Sequence, residues 1–466
     1  MKHLQRTRPD QPTVTFFGAT QSVSGSMHLL EVGPYRFLLD CGLHRGPRDE
    51  ARALNSRFSF DPASIDAIFL SHAHMDHCGN IPNLVRQGFS GTIYCTHATR
   101  DLIEVMLQDS ARIQERESSF RGYSRLGSSQ LYNMDHVQEA IDYCHSVDFD
   151  ETVVVNPSVN IRFIDSGHIL GSAIIYISMR HQDRNYSVTF SGDLGRQGVP
   201  YLSQPSPLPA ADLVICESTY GGKTHETLAG MAEKMSQLVT KTVARGGKVL
   251  IPAFSLGRTQ LVLHYLRVWM ASGILPRLPI YVDSPLAREI DLIHKKYHDY
   301  LEPEVTEIPC EWLMSDDDAW YRSTHRDPCI LVASGGMCEG GRITQHLKYH
   351  IDDPRSTIIL VSYQSPNSLG AQLLTPVPKV FFHGHTWNKW IEVAEVNGFS
   401  GHADKNDIDV LLRDALATTG QVRLVHGEIP QLMALTAQLQ QMGFANVKAP
   451  HRNESVVLGA EVFQSR

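Results

Sequence analysis

Between about residues 212 and 393, short apolar segments alternate with segments that have a helical pattern. This alternation constrains the fold more than any other feature of the 466-residue chain. The alternating segments have the composition of buried strands: DLVICES, KVLIPAF, PIYVDS, CILVASGG and TIILVSY. Because consecutive parallel strands need a crossover connection, usually a helix, this alternation predicts a largely parallel sheet.

The flanking parts of the chain have a different pattern. Before the alternating region, strands such as TVTFFGA, HLLEV and YRFLLDC are separated by turn residues, and the first long helix is predicted at 97–118. After it come FSGHAD, a helix at 405–416 and the strand VRLVHGE. We therefore predict an α/β module at 212–393, inserted into a domain formed by residues 1–211 and 394–466.

Charge and cysteine usage narrow the functional classes. The net charge of −8 argues against a broad basic surface for nucleic acid, so a polyanion would be held by a local patch or by a cationic metal site. The eight cysteines form no CxxC pair, which favours reduced thiols in a cytoplasmic protein. No apolar run is long enough to span a bilayer, and the start MKHLQRTRPDQP lacks a secretory core, so no membrane partner is expected.

The segment SHAHMDHCGN, residues 71–80, concentrates donor atoms directly after the apolar run IDAIFL. His72, His74, Asp76 and His77 would lie at the carboxyl end of a strand, where sites in α/β proteins usually occur. Imidazole and carboxylate donors suit zinc, with manganese or iron as alternatives. A polar surface loop is the other interpretation, but this density of donors favours a metal site.

Two metals need more donors than this loop has. Three other strand ends offer one each, beside a glycine: His168 in DSGHILGS, Asp193 in TFSGDLG and His426 in LVHGE. Alone, His168 or His426 would more often be a solvated or hydrogen-bonded residue than a ligand. Asp40, at the end of YRFLLDC, is predicted to orient ligands through hydrogen bonds rather than to bind metal itself.

The pattern HxHxDH, followed by Gly-His and SGD and preceded by TFFGATQSVSGS and LLDCG, resembles the metallo-β-lactamase fold. The resemblance implies an αββα sandwich and two Zn²⁺ ions per chain, with Mn²⁺ or Fe²⁺ as alternatives. It implies that one zinc is held by His72, His74 and His168. It implies that the other is held by Asp76, His77 and His426, with Asp193 bridging the two.

Five further motifs resemble the β-CASP group of nucleases over nearly the whole chain: ESTYG, FSGHAD, VHGE, PAFSLGRTQ and SGGMCEGGR. The resemblance implies a metal-dependent ribonuclease that hydrolyses single-stranded RNA to 5′-phosphate and 3′-hydroxyl ends, in RNA processing or decay. Asp76 would then serve catalysis as well as metal binding, and His402 would be the general acid. Glu217, on its own a surface carboxylate, would hydrogen-bond His402 and favour its protonated form.

Glycine-rich turns of the inserted module are predicted to contact RNA phosphates through backbone N–H groups, hydroxyls and arginines. The residues are Ser255, Arg258, Ser334, Gly335, Gly336, Arg342 and Ser368. Tight-turn geometry and helix capping are the alternatives for the glycines and for Ser255. Many relatives carry a stretch like GYQxxGTxGR, whereas this chain has VSYQSPNSLGAQ, with Ala371 where arginine is common. This difference puts one phosphate contact or ion pair in doubt.

Two other functions stay open at this point. A hydrolase of a small ester or thioester shares the fold, although it needs no wall of phosphate binders. An inactive scaffold of an RNA-processing complex is the third hypothesis, which the intact donor positions argue against. The expected partner is single-stranded RNA, and a homodimer is an option.

Overall fold

The computed structural model of the chain describes residues 11–120, 130–301 and 308–459. Residues 1–10, which carry most of the segment that argued against a secretory signal, lie outside this range. The eight cysteines, all within the described residues, form no disulfide bond. In the part of the chain that is described, every helix is too short or too polar to cross a bilayer.

The strands, in chain order, are short and lie mostly in three sheets. They are β1 (Thr13–Phe16), β2 (His28–Val32), β3 (Tyr35–Leu39), β4 (Ala67–Phe69), β5 (Thr92–Thr96), β6 (Cys144–Val147), β7 (Thr152–Asn156), β8 (Val159–Asp165), β9 (Ala173–His181), β10 (Arg184–Phe190), β11 (Leu213–Glu217), β12 (Val249–Ala253), β13 (Ile280–Asp283), β14 (Cys310–Trp312), β15 (Ile330–Ser334), β16 (Thr357–Leu360), β17 (Lys379–Phe382), β18 (His385–Asn388), β19 (Glu392–Glu395), β20 (Gln421–Val425), β21 (Val447–Lys448) and β22 (Ser455–Val457).

The helices include one that matches the predicted helix at 97–118 and several short ones. They are α1 (Arg48–Ser56), α2 (Met75–Cys78), α3 (Ile81–Arg86), α4 (His97–Phe120), α5 (Met134–Asp142), α6 (Leu228–Ala244), α7 (Arg258–Ala271), α8 (Pro285–Lys296), α9 (Asp316–Thr324), α10 (Ile343–His350), α11 (Leu369–Leu374), α12 (Lys405–Leu412) and α13 (Ile429–Met442). The predicted helix 405–416 is α12 followed by a 3₁₀ turn, Arg413–Ala415.

The chain divides into two compact units, Met1–Thr224 with His402–Arg466, and His225–Gly401. The sequence predicted the boundaries of the inserted module at 211/212 and 393/394. The first unit extends beyond residue 211 because β11 pairs with its strands β10 and β20, both in parallel register.

The first unit contains two seven-stranded sheets, ordered β22-β1-β2-β3-β4-β5-β6 and β21-β20-β11-β10-β9-β8-β7. Aromatic and β-branched side chains from both sheets share one buried core, which includes Phe37 and Phe69 on one side and Phe163 and Phe190 on the other. Helix α4 contacts β5 and β6, and α12 and α13 bury leucines against the second sheet. The predicted αββα sandwich is therefore confirmed.

The second unit is built on a six-stranded sheet with the order β14-β13-β15-β12-β16-β19, and every neighbouring pair is parallel. Its strands β12, β15 and β16 are almost fully buried, as expected where helices connect parallel strands. A separate antiparallel hairpin, β17–β18, belongs to this unit. The predicted parallel sheet of the inserted module is confirmed.

Candidate metal centre

The predicted donors follow the carboxyl ends of strands in both sheets of the first unit. The loop that carries His72 follows β4, and His168, Asp193 and His426 follow β8, β10 and β20. Glycines precede two of them, with φ of +65° at Gly167 and +53° at Gly192. Because L residues with side chains rarely adopt these angles, the glycines allow the chain to turn sharply toward a shared centre.

A first group of four donor atoms lies at the end of the sandwich. His74 Nδ1 is 3.1 Å from His72 Nε2 and 3.3 Å from His168 Nε2. Asp193 Oδ2 is 3.4 Å from His72 Nε2 and 3.6 Å from His168 Nε2. All but His74 are buried. These four residues form one cluster capable of holding a metal ion.

A second group shares the same aspartate. His77 Nε2 and His426 Nε2 are 3.2 Å apart, and Asp76 Oδ2 is 3.6 Å from His426 Nε2. Asp193 Oδ1 is 3.3 Å from His77 Nε2. Asp193 therefore presents one carboxylate oxygen to each group, as a bridging ligand would.

The spacing of these atoms fits metal coordination. Ligand atoms at about 2.0–2.1 Å from a tetrahedral zinc ion lie about 3.3 Å apart, which is close to the distances in both groups. Asp193 Oδ1 is buried and has no hydrogen-bond partner among the described residues. A buried carboxylate oxygen without a donor is costly unless a cation compensates it. The residues present therefore fit metal ions, although their role as ligands stays a prediction.

Hydrogen bonds fix which nitrogen of two imidazoles faces the centre. Asp40 Oδ2 lies 2.6 Å from His77 Nδ1 and, as an acceptor, holds the proton there. Ser71 Oγ donates to Asp40 Oδ2, so it can only accept from His72 Nδ1, 3.0 Å away. Asp40 thus orients two predicted ligands, one directly and one through Ser71, and their Nε2 lone pairs point to the metal groups.

Thr219 performs the same task for His426. Its hydroxyl donates to the His426 carbonyl oxygen at 3.0 Å, and a threonine hydroxyl has only one proton to give. Its 3.0 Å contact with His426 Nδ1 must therefore be an N–H donated by the imidazole. In a neutral imidazole this hydrogen bond places the proton on Nδ1, so the Nε2 lone pair faces Asp76 and His77.

The electrostatics of the centre favour a cation. Burial lowers the pKa of His72 to about 3 and that of His74 to about 4, so both imidazoles are neutral and have lone pairs available. Burial also acts on Asp193, but the neighbouring histidines outweigh it and hold the pKa of this carboxyl well below its usual range. Burial acts to lower the pKa of His77, but the carboxylates of Asp193 and Asp40 outweigh it and hold this pKa well above its usual value. The neutral imidazoles of His72 and His74 beside ionised Asp193 are donors that a divalent ion can use, whereas His77 has to give up a proton to bind one.

Beside the two groups lies the predicted acid–base pair. His402 Nδ1 is 3.1 Å from Glu217 Oε1 and 3.8 Å from Asp193 Oδ2. Burial opposes protonation of His402, but the carboxylates of Glu217 and Asp193 raise its pKa to about 9. Glu217 is completely buried and also accepts the backbone N–H groups of Leu194 and Thr219. The structure thus brings together Glu217, His402 and the metal groups; the catalytic roles stay predictions.

The predicted phosphate contacts all lie in the second unit, at the carboxyl edge of its parallel sheet. The loops after β12, β15 and β16 touch there: Arg258 Nη1 donates to the Val361 carbonyl oxygen, and Gln364 Nε2 donates to that of Gly336. The loop Ser334–Gly336 follows β15 directly. The structure therefore gathers these residues at one edge.

Several of these side chains already have structural partners. Arg342 forms ion pairs with Asp283, at 2.8 Å, and with Asp316. Ser368 caps α11 by accepting the Ala371 N–H, and its hydroxyl donates to the Ser365 carbonyl oxygen. The Ser255 hydroxyl lies 2.9 Å from that of Ser284, whereas the residue before α7 is Gly257. Arg342 thus stabilises the fold through ion pairs, and Ser368 does so by capping a helix; the sequence did not indicate either role.

Two polar residues near the metal groups were missed at the sequence level. Ser71 precedes His72 directly, and Thr219 lies inside ESTYG, so proximity to a predicted ligand or motif was the available signal. Ser71 acts through a hydrogen bond to Asp40, 31 positions away in the sequence, and Thr219 through one with His426, 207 positions away.

Comparisons with known proteins match both units. Three family models match: a metallo-beta-lactamase superfamily domain at 29–193, a Beta-Casp domain at 259–373 and a Zn-dependent metallo-hydrolase RNA specificity domain at 391–450. Ribonuclease TTHA0252 of Thermus thermophilus is 34% identical over 438 residues, covering 92% of this chain and 96% of the relative. The chain belongs to the β-CASP ribonuclease family. The family resemblance and the enzyme class that it implied, a zinc-dependent hydrolase, are confirmed.

Other proteins similar to this chain have different names. Transcription termination factor FttA of Methanocaldococcus jannaschii is 30% identical over 437 residues, covering 89% of this chain and 67% of the relative. A crystal structure of a protein of unknown function from Enterococcus faecalis V583 is similar with a TM-score of 0.56 at 13% identity, covering 96% of this chain and 100% of that one. At this identity the structural match supports the fold only.

Proposed function

We propose that this β-CASP protein hydrolyses phosphodiester bonds of single-stranded RNA with two zinc ions and leaves 5′-phosphate and 3′-hydroxyl ends. The observation that carries the proposal is the pair of donor groups that share Asp193, with His402 3.8 Å from the shared carboxylate. The name of the Thermus relative and the matched RNA specificity domain favour RNA as the substrate.

His72, His74 and His168 would hold one ion, and Asp76, His77 and His426 the other, with Asp193 between them. Zinc bound there would supply positive charge and Lewis acidity for a phosphate group. Asp40, Ser71 and Thr219 keep the Nδ1 protons of three imidazoles away from the ions.

His402 is proposed as the proton donor to the departing 3′ oxygen. Its Nδ1 proton is held by Glu217, which leaves Nε2 as the atom that delivers a proton to the leaving group. Glu217 cannot turn away, because two backbone N–H groups also fix its carboxylate. The buried carboxylate both aims the imidazole and favours its charged form.

The test is His402→Ala, with exposed His97→Ala as the matched control. We expect His402→Ala to retain its zinc and to lose turnover on end-labelled single-stranded RNA by a factor of about 10² or more. His97, 54% exposed beside Asp148, should be replaceable without effect. Equal cleavage by His402→Ala and the wild type at matched zinc content would remove the general-acid assignment.

The small-ester hydrolase and the inactive scaffold remain the competing hypotheses for the substrate and the activity. A side-by-side assay on labelled RNA and a chromogenic ester separates the first, since a faster reaction with the ester would favour it. The scaffold predicts no zinc, iron or manganese in the purified protein. A cytoplasmic location and a homodimer also stay proposals, testable by fractionation and light scattering.

A further inference from the structure

The hairpin β17–β18 of the second unit and the segment that directly follows it expose two large aromatic side chains. Phe381 is 64% exposed and Trp390 is 60% exposed. The register pairs Phe381 with Thr386 and Lys379 with Asn388, and the Lys389 N–H continues the pairing to Pro378. Side chains alternate across a strand, so Phe381 and Lys379 belong to the same outward face, and Trp390 follows two residues after the end of β18 at Asn388.

The opposite face holds this hairpin rigidly. Val380 and Phe382 are buried in a core of the second unit, and Trp387 packs against that core. The turn has φ of +50° at His383 and +75° at Gly384, and His383 Nε2 lies 3.0 Å from the Thr344 hydroxyl of α10. The exposed aromatics therefore project from an anchored platform.

The charge of this segment is opposite to that of the chain. Residues 375–391 contain two lysines, two histidines and no aspartate or glutamate, in a chain with 50 acidic and 42 basic residues. Exposed aromatic rings beside cationic groups on a small sheet are the means by which proteins bind single-stranded nucleic acid, because every base has a face that stacks on a ring.

We propose that the outward face of β17–β18, together with the segment that directly follows it, binds single-stranded RNA, with bases stacked on Phe381 and Trp390 and a phosphate near Lys379. The inference rests on the proposed function, because RNA is the polyanion that this family acts on. The absence of carboxylates favours a polyanion over a second copy of this chain, whose net charge is −8.

The experiment measures affinity separately from cleavage. The full chain is titrated into a fluorescein-labelled oligouridylate with excess chelator to stop hydrolysis, and binding is followed by anisotropy. Phe381→Leu and Trp390→Leu keep an apolar side chain but remove the ring, and each should weaken binding about tenfold or more. Phe381→Tyr keeps the ring and should bind within about twofold of the wild type.

Two further variants sharpen the result. Trp320→Leu removes a tryptophan that is 54% exposed on α9, beside three aspartates, and should leave the affinity unchanged. Lys379→Ala should reduce the slope of log affinity against log salt concentration by about 0.7–1, as expected for one lost phosphate contact.

The outcomes separate this inference from the proposed function. If Phe381→Leu binds as the wild type does while zinc-loaded wild type cleaves RNA, the hairpin is not an RNA site and the nuclease function stands. If the wild type neither binds nor cleaves RNA, both proposals fall. If the leucine variants change the mass measured by light scattering but not the RNA affinity, the face is a contact between copies and the inference is wrong.

Discussion

Replacing Thr219 by valine tests the claim that hydrogen bonds outside the metal groups set the form of the ligands. The substitution keeps the shape of the side chain and removes the hydroxyl. His426 then loses the acceptor for its Nδ1 proton and the donor to its own carbonyl oxygen, both at 3.0 Å. The tautomer that presents Nε2 to Asp76 and His77 then loses its hydrogen-bond acceptor.

The magnitude follows from these two contacts. Each hydrogen bond contributes about 0.5–1.5 kcal/mol, so their loss amounts to about 1–3 kcal/mol. A tenfold change in affinity corresponds to about 1.4 kcal/mol, so the second metal group should bind zinc about 10–100-fold more weakly. The first group, which makes no contact with Thr219 in the hydrogen bonds described, should change little.

The assay is a zinc titration of the metal-free protein in competition with a chromophoric chelator, which resolves two dissociation constants. Thr219→Ser retains the hydroxyl and should restore the weaker site. Thr436→Val is the matched control, since it removes a half-buried hydroxyl that donates to the Leu432 carbonyl oxygen within α13. Unchanged zinc affinity in Thr219→Val, or an equal loss at both sites with the fold intact, would refute the reasoning.

Three other substitutions have distinct expected outcomes. Asp193→Asn leaves a single amide oxygen in place of the two carboxylate oxygens that face the two donor groups. The zinc content, measured by atomic emission, should therefore fall to about one ion per chain or less. Two retained ions would exclude a bridging role for Asp193. Glu217→Gln should lower kcat on RNA by about 10²–10⁴ with zinc content unchanged, because His402 loses the carboxylate that holds its proton; an unaltered kcat would contradict this. Arg342→Ala removes an ion pair with buried Asp283. It should lower the free energy of unfolding, measured by urea denaturation, by about 1–3 kcal/mol without changing the zinc content. A loss of RNA affinity at unchanged stability would instead favour the phosphate contact.

The donor atoms that the structure brings together in the candidate metal centre are marked locally in the sequence. The His72–His77 loop is dense in ligands, and His168, Asp193 and His426 each follow an apolar strand beside a glycine. Long-range hydrogen bonds leave no such mark. The link from Thr219 to His426 spans 207 positions, and it depends on β11 and β20 being neighbours.

Partners distant in sequence also explain why β11 belongs to the first unit and not to the inserted module. The segment Leu213–Glu217 is an apolar strand followed by a helix, like those of the inserted module, and only its pairing with β10 and β20 assigns it to the first unit. Arg342 beside a glycine-rich turn likewise indicated a phosphate contact, whereas its partner Asp283 lies 59 residues away. Local patterns identify elements and donor atoms, but partners in space have to be observed.

The central claim is that this chain hydrolyses the P–O3′ bond of RNA with water at the two-metal centre. The most direct measurement is mass spectrometry of products from single-stranded RNA cleaved by the zinc-loaded protein in ¹⁸O-labelled water. The account predicts 5′-phosphate products carrying one ¹⁸O atom and matching 3′-hydroxyl products. Cyclic 2′,3′-phosphate ends, or 5′-hydroxyl products without the label, would contradict it.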